Sequence, residues 1–320
     1  MAERYSYSRI DLYTQCGFKY KLRYEDKHYV NTDGLATELG TLIHETEEAL
    51  AEACKNNQPV NYIQLKNNIL LEMIKLEHKY PVEFSALDKS GRTCQDKILG
   101  YLKEGIYRLE NFLTANGHIQ ILATEKEFEY TFPGTSCTFH GFIDRILYDS
   151  RNSKFILQDI KTYNQPLQAK KLKVPLQFVI YALAMPELYG ASLDQITCSY
   201  DLPFCNCVQA AGEDLFIEQG TTQIQELLQK IAVKDFVPSP SPLCHWCEYC
   251  PTNPNQPLEG KNLCPYHSLW TRETKNNAVA SHWAGLENHE LVLFEYLKCQ
   301  NCHDSDVLYN IEGGKHDSNL

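Results

Sequence analysis

Apolar residues recur with the period of a helix over the first third of the chain and with the alternation of a strand in its middle. The helical spacing predicts helices at residues 8–24, 36–55, 61–80 and 92–116. Alternation, β-branched residues and flanking turn residues predict strands at 119–132, 137–148, 154–160 and 196–201. Two later runs predict helices at 166–188, where Pro175 kinks or restarts the helix, and at 221–232. Helices followed by a hairpin-rich sheet and a crossover helix predict an α/β fold.

Two acidic residues stand in these predicted strands. Asp144 lies in the second strand, Asp159 ends the third, and Lys161 follows two residues later. Side chains repeat every second residue along a strand, so Asp159 and Lys161 share a face, and a hairpin brings Asp144 beside Asp159. Two carboxylates and an ammonium suit metal-assisted phosphodiester hydrolysis, because the carboxylates bind a hard divalent ion and the lysine orients or activates water. The alternative is an exposed hairpin with solvated charges.

A third acidic group precedes the first of these residues. Glu125, Glu127 and Glu129 alternate along the strand at 119–132, so they share one face. They either extend the acidic site or form a solvated strand face, and the pattern favours the solvated face.

Composition is typical of an intracellular enzyme. The chain has 320 residues, of which 43% are hydrophobic, enough for a sizeable core. We find no apolar run long enough to span a membrane and no signal-peptide core at the N-terminus, so we expect a cytoplasmic protein without membrane contact. Thirteen cysteines in such a chain indicate metal ligands more than disulfides.

The charge of the chain is unfavourable for nucleic-acid binding. The formal net charge is −11, whereas nucleic-acid binders usually carry a basic surface. Two segments are locally basic and are candidate DNA-binding positions, unless they are merely solvated: Lys19, Lys21 and Arg23, and Lys170, Lys171 and Lys173. We therefore expect weak, salt-sensitive DNA binding, which a recombination or replication partner protein could strengthen.

Six ordered motifs carry a family resemblance. They are Tyr7–Tyr20, Leu39–His44, Gly141–Ile146, Gln158–Thr162, Pro175–Ala182 and Cys244–Cys250. In this order they resemble the RecB-like branch of the PD-(D/E)XK nuclease superfamily, and within it the iron–sulfur subgroup with AddB-type, CRISPR-associated and phage recombination nucleases. The resemblance spans residues 5–270. It implies a restriction-endonuclease-like core, a mixed central sheet flanked by helices.

The resemblance also implies roles for individual residues. His44, Asp144, Asp159 and the carbonyl of Ile160 would bind Mg²⁺ or Mn²⁺, and Lys161 would be the catalytic lysine. Gln177 and Tyr181 stand four apart, on one helix face, and match the motif that contacts substrate or supports the lysine. Core packing is the alternative for Tyr181.

The cysteines match the family only in part. By the resemblance, Cys16 joins Cys244, Cys247 and a fourth cysteine around a [4Fe–4S] cluster, although four thiolates also suit zinc. The family has five residues between its last two cysteines, whereas here Cys250 follows after two and Cys264 after sixteen. Cys264 precedes a proline, as in many relatives, which slightly favours it, and both remain open. Such a cluster would tie the two ends of the chain together.

These features predict four regions: 1–118, a helical region; 119–236, the nuclease core; 237–270, the cysteine segment; and 271–320, a helical appendage with a disordered end. The expected function is a metal-dependent DNA nuclease, most simply an exonuclease acting on single strands or duplex ends in recombination or repair. One alternative is a non-catalytic DNA-binding or assembly subunit with the same fold and cluster. The other is a zinc-clasped structural protein.

Overall fold

A computed structural model describes residues 3–32, 34–88, 90–251, 253 and 263–266. The chain divides into two compact units, one formed by Met1–Tyr7 with Asp33–Glu226 and the other by Ser8–Thr32 with Leu227–Leu320. The predicted appendage at 271–320 lies outside the described residues. In the part of the chain that is described, no helix is long and apolar enough to cross a membrane.

A mixed sheet forms the centre of the first unit. Its strands within the described residues are β1 (Arg4–Tyr5), β2 (Ile119–Thr131), β3 (Thr138–Asp149), β4 (Lys154–Ile160), β5 (Ile196–Leu202) and β6 (Cys207–Ala211). Strand β3 pairs antiparallel with β2 along its whole length, so its other edge is shared by β1, which is parallel, and β4, which is antiparallel. Strands β4 and β5 are parallel, and β6 returns antiparallel to β5. The predicted mixed α/β architecture is confirmed.

The helices precede the sheet or connect its strands. They are α1 (Tyr7–Gln15), α2 (Gly17–Tyr20), α3 (Leu35–Lys55), α4 (Tyr62–Lys79), α5 (Pro81–Ser85), α6 (Cys94–Lys103), α7 (Arg108–Ala115), α8 (Ala169–Lys173), α9 (Leu176–Tyr189) and α10 (Phe216–Ala232). Helices α8 and α9 form the crossover that parallel neighbours β4 and β5 require.

The core of the first unit explains the hydrophobic pattern. Ile43 and Leu50 of α3, Ile69 of α4 and Ile98 of α6 are almost fully buried and pack with Leu147 of β3. Helix α9 is different, because its apolar residues lie on all sides and most are buried. A helix that is apolar all round belongs inside a fold, so α9 is an internal support for the strands that carry the acidic residues.

Three predicted helices are interrupted, each for a local reason. The predicted helix 92–116 breaks at Gly105, where a Cβ would lie 2.6 Å from the Tyr101 ring and 3.0 Å from the carbonyl oxygen of Pro203. The run 166–188 splits because Pro175 precedes the first residue of α9 and cannot donate a helical hydrogen bond. The run 8–24 breaks at Cys16, whose backbone is extended. Strands β1 and β6 and helix α5 were not predicted.

In the second unit, the N-terminal helices pack against the segment after α10. A Cβ on Gly17 would lie 2.8 Å from the carbonyl oxygen of Val237, so glycine permits this close approach. The Tyr20 and Phe236 rings stack with centroids 5.7 Å apart. The hydroxyl of Tyr13 donates to the carbonyl of Asp235 at 2.5 Å. These contacts position Cys16 beside the C-terminal cysteines of the same unit.

Candidate active site

The β3–β4 hairpin brings the two predicted acids to the same end of the sheet. Arg145 of β3 pairs with Gln158 of β4. Asp144 precedes Arg145 and Asp159 follows Gln158, so the antiparallel pairing brings the two acids opposite each other. The backbone N–H of Ile160 donates to Asp144 Oδ2 at 2.7 Å, which fixes that carboxylate against the end of β4. The alternation of the strands is therefore enough to place both acids together.

Lys161, Gln177 and Tyr181 surround the second acid. Lys161 Nζ lies 2.6 Å from Asp159 Oδ2. Gln177 Nε2 donates to Asp159 Oδ1 at 2.6 Å and to the hydroxyl oxygen of Tyr181 at 2.8 Å. The four-residue spacing on α9 thus forms a chain of contacts that ends on the carboxylate. The ring of Tyr181 also packs against Phe128, so Tyr181 contacts the hydrophobic core as well as hydrogen-bonding with Gln177.

His44 and Glu125 complete the cluster around the first acid. Helix α3 supplies His44, whose Nδ1 lies 3.6 Å from Asp144 Oδ2. Glu125 stands between Thr124 and Lys126, which pair with Arg145 and Ile143, so it lies opposite Asp144. Ligand atoms of His44, Glu125 and Asp144 all lie within 4.8 Å of one another. Two carboxylates and an imidazole match the donor set of a divalent cation site.

The prediction that Glu125, Glu127 and Glu129 form a solvated face is therefore wrong for Glu125. Glu127 and Glu129 are exposed, but Glu125 has a positive φ of 42° and joins the cluster. A regular strand pattern does not reveal such a local departure, although the position of Glu125 directly opposite Asp144 could have been counted from the hairpin register.

The electrostatics of the cluster leave it short of positive charge. Burial raises the pKa of both Asp144 and Asp159 to about 6; Asp144 adds to the effect at Asp159, and Lys161 opposes it at both. Burial also raises the pKa of Glu125. Burial lowers the pKa of His44, which favours the neutral imidazole that binds metals. Desolvated carboxylates beside a neutral imidazole fit a bound divalent ion.

Asp159 and the carbonyl of Ile160 are the other two predicted metal ligands. They lie beside the cluster formed by His44, Glu125 and Asp144, in different surroundings. Asp159 is 1% exposed, and its two oxygens contact Gln177 and Lys161. The backbone N–H of Ile160 donates to Asp144, a member of the cluster. Both predicted ligands therefore border the cluster, and their direct coordination of a metal stays a prediction.

A buried ion network lies beside this site and was not predicted. Arg145 Nη2 lies 3.0 Å from Glu47 Oε2, and Arg145 Nη1 lies 3.1 Å from Asp201 Oδ2. Arg108 Nη2 approaches Asp201 Oδ1 at 2.5 Å, and the Tyr101 hydroxyl donates to Glu47 at 2.8 Å. Two carboxylates balance two guanidinium groups, so the charges are compensated. Buried ions without partners are costly, and each of these four charged groups has at least one ion-pair partner, although Arg145 Nε and Arg108 Nη1 make no hydrogen bond.

The network connects the elements that carry the site. Glu47 is one helical turn after His44 on α3, and Arg145 follows Asp144 on β3. The carbonyl of Asp201 on β5 accepts the backbone N–H of Lys161 at 2.8 Å. The helix bearing the imidazole and the strands bearing the acids are thereby joined by ion pairs.

Five cysteines line one cavity in the second unit: Cys16, Cys244, Cys247, Cys250 and Cys264. Backbone N–H groups of Ser239 and Ser241 donate to the sulfurs of Cys16 and Cys244, each at 3.4 Å. Backbone hydrogen bonds from Tyr249 and Tyr266 also lower the pKa of Cys247 and Cys264, although burial raises both overall. The predicted N-terminal and C-terminal cysteines therefore share one cavity.

The two basic segments differ in how their charge is compensated. Lys19 lies 2.8 Å and Arg23 3.8 Å from Glu248, and Lys21 lies 2.6 Å from Asp26. This segment offers little net positive charge. Lys170, Lys171 and Lys173 on α8 are exposed, and Lys173 pairs with Glu213 at 3.1 Å.

Comparison with known proteins gives a family match that covers most of the chain. The model of the PD-(D/E)XK nuclease superfamily matches residues 4–253. No curated protein matches the chain. One solved structure, titled "Crystal structure of SSO0001", is similar over 68% of this chain and 96% of that chain, with 16% sequence identity and a TM-score of 0.28. The family match is the finding that bears on function.

Proposed function

Because the chain belongs to the PD-(D/E)XK nuclease superfamily, we propose that it is a metal-dependent deoxyribonuclease. The observation that carries the proposal is the convergence of His44, Glu125 and Asp144 within 4.8 Å, next to the Asp159–Lys161 contact of 2.6 Å. A divalent ligand set beside a lysine is the arrangement that phosphodiester hydrolysis requires.

His44, Glu125 and Asp144 are the residues that would hold the cation, with Asp159 and the carbonyl of Ile160 as the further predicted ligands. A bound divalent ion polarises the phosphate and makes a coordinated water more acidic. The proposed ion is Mg²⁺ or Mn²⁺, both of which suit a donor set made mainly of carboxylate oxygens.

Lys161 supplies positive charge where the phosphate binds. Burial opposes its charged form, but Asp159 outweighs burial and raises the lysine pKa, so the ammonium stays protonated. In that state it can orient the attacking water by hydrogen bonding and offset charge that develops on the phosphate. Gln177 holds the other oxygen of Asp159, which fixes the carboxylate that positions Lys161.

The finer assignment is an exonuclease that acts on single-stranded DNA or duplex ends in recombination or repair. It rests on the ordered motifs of the sequence. The net charge of −11 supports weak intrinsic affinity for DNA and hence a partner protein that recruits the enzyme.

The cysteine cavity is proposed to hold a [4Fe–4S] cluster through Cys16, Cys244, Cys247 and Cys264. Hydrogen bonds to ligand sulfurs are a feature of such clusters, and the sulfurs of Cys16 and Cys244 each accept one from the backbone. Zinc bound by four of these thiolates is the alternative, and iron and zinc analysis of the purified protein separates the two.

The test is a cleavage time course on end-labelled linear single strands, linear duplexes and circular single strands, with Mn²⁺, Mg²⁺ or EDTA. We expect metal-dependent cleavage of the linear substrates and none of the circle, with the fragment ladder giving polarity. Cleavage of the circle would replace exonuclease with endonuclease action. No cleavage by folded, iron-loaded protein would leave the non-catalytic subunit as the better assignment.

A further inference from the structure

A second cavity lies in the first unit, beside the chain that leaves the active site. Its volume is about 750 Å³, and it is lined by residues 163–168 and Lys171 on one side and by Leu87, Asp88 and Ser90 on the other. Pockets that take small organic ligands have volumes of about 300–1,000 Å³. The cavity is therefore large enough for a nucleotide, and it contains none of the metal-binding residues.

Tyr163 lines this cavity and carries an aromatic ring. It follows Lys161 by two residues, so the two Cα atoms are at most about 7 Å apart. The Tyr163 side chain is 44% exposed, whereas the nearby Tyr200 is 7% exposed. An exposed aromatic ring so close to the proposed scissile phosphate is positioned to meet the neighbouring base.

The loop that carries Tyr163 is fixed from behind. Cys205 Sγ donates to the carbonyl of Tyr163 at 3.2 Å, and Arg92 Nη2 donates to the carbonyl of Asn164 at 3.0 Å. Gln209 accepts the N–H of Leu167 at 2.6 Å and donates to its carbonyl at 3.3 Å. Since the backbone polar groups are engaged by the protein, the loop holds its side chains toward the cavity before any ligand arrives.

The chemistry of the lining suits bases more than a folded protein partner. Asn164, Gln165 and Gln168 carry side-chain amides with both a donor and an acceptor, so they can hydrogen-bond with the edge of any base, and Lys171 offers a charge for a phosphate. The one carboxylate, Asp88, lies 3.2 Å from Lys97 and accepts bonds from Ser90. The negative charge of Asp88 is thus compensated by neighbouring groups of the protein.

We propose that this cavity binds an unpaired base of single-stranded DNA next to the scissile phosphate, with the base stacked on Tyr163. The proposal rests on the nuclease function and gives its substrate class, because the bases of an intact duplex are stacked in pairs and cannot enter. Stacking on an aromatic side chain tolerates every base, so the cavity selects single strands without selecting a sequence.

The test is fluorescence anisotropy with a labelled single strand of thymidines and a strand of equal length made of abasic sites, without divalent metal so that neither is cut. We expect Tyr163→Ala to weaken binding of the thymidine strand by roughly fivefold to a hundredfold. Binding of the abasic strand should stay unchanged. Tyr163→Phe keeps the ring and should bind like wild type, and so should Tyr29→Ala, which removes an exposed tyrosine of the second unit.

Equal losses for both strands would mean that Tyr163 contributes no stacking, and no loss for either strand would overturn the proposal as well. If the proposed nuclease function is wrong, the wild-type protein will show no metal-dependent cleavage. Wild-type cleavage with unchanged Tyr163→Ala binding would defeat only the base-binding proposal. Far-ultraviolet circular dichroism of each variant checks that the fold is retained.

Discussion

The proposed active site and the cysteine cavity are both assembled from residues distant in sequence, but they are held together differently. Around the active site, Glu47, Arg145 and Asp201 form buried ion pairs that join helix and sheet without any ligand. Around the cavity, the apolar cluster is small: Leu22, Val30 and Tyr249, with Phe18, Leu263 and two cysteines partly buried beside it. The first site is held by the protein, whereas the second, on the proposed assignment, would be held by the cluster that the cysteines bind.

Because the two sites are held together differently, we expect substitutions in them to have different effects. Metal ligands in a protein-held site affect chemistry and leave the fold intact. Cluster ligands in a ligand-held unit affect folding first, because a structural metal contributes its binding free energy to the folded state.

The largest effect is expected from Asp144→Asn. The amide keeps the shape and can still accept the Ile160 N–H, but it removes a charge from the ligand set. Cleavage should fall by at least about a hundredfold, the scale seen when a key electrostatic group is removed. The melting temperature should stay the same or rise, because a desolvated charge is lost. Cleavage assays and thermal melts check both parts, and a large fall in melting temperature would contradict a protein-held site.

Cys16→Ala should act mainly on stability. A crosslink that closes a loop of this length removes about 4–5 kcal/mol of unfolded-state entropy in the idealised model. The variant should lose iron, lose visible absorbance and melt at a lower temperature. Cys54→Ala, which changes a partly buried cysteine of α3 outside the cavity, is the matched control. Full iron content and unchanged melting in Cys16→Ala would show that the cysteine is no cluster ligand.

Glu47→Gln tests the ion network. It leaves Arg145 with one carboxylate fewer, and breaking a buried pair typically costs about 3–5 kcal/mol. We expect a lower melting temperature and, if the protein still folds, a rise in the metal concentration needed for cleavage of about 10- to 100-fold, the usual scale for groups that orient ligands. Glu52→Gln, near the end of the same helix, should leave the metal dependence unchanged. Equal metal dependence in both variants would rule out a positioning role.

The smallest effect is expected from Cys250→Ser. Cys264→Ser should lose the cluster, while Cys250→Ser should keep its iron content, because the four proposed ligands remain. Iron analysis and absorbance of the two purified variants settle the fourth ligand. The reverse pattern, with iron lost only in Cys250→Ser, would assign Cys250 instead.

The sequence was sufficient for the parts of the site that depend on local periodicity. Alternation placed Asp159 beside Lys161, and the hairpin placed Asp144 beside Asp159, as the structure has them. The sequence pattern did not place Glu125 in the site, because its backbone departs from the regular strand, with φ at 42°. The restart at Pro175 is predicted from the proline itself and is confirmed, whereas the break at Gly105 arises from a packing contact that periodicity does not reveal.

The ion network could not be predicted for a different reason. Glu47, Arg145 and Asp201 are separated by 98 and 56 residues, and no spacing rule links a helix to strands at such distances. Each is an ordinary charged residue in sequence. Only the packing of α3 against the sheet makes them a buried, compensated group.

The most direct test compares wild type with Lys161→Ala, purified side by side without oxygen, on end-labelled single-stranded DNA across a Mn²⁺ titration. We expect metal-dependent cleavage by wild type, a loss of at least about a hundredfold in the variant, and the same iron content and the same far-ultraviolet circular dichroism in both proteins. Equal cleavage by the two proteins would contradict it, because the hydrolysis would then not depend on the lysine held by Asp159.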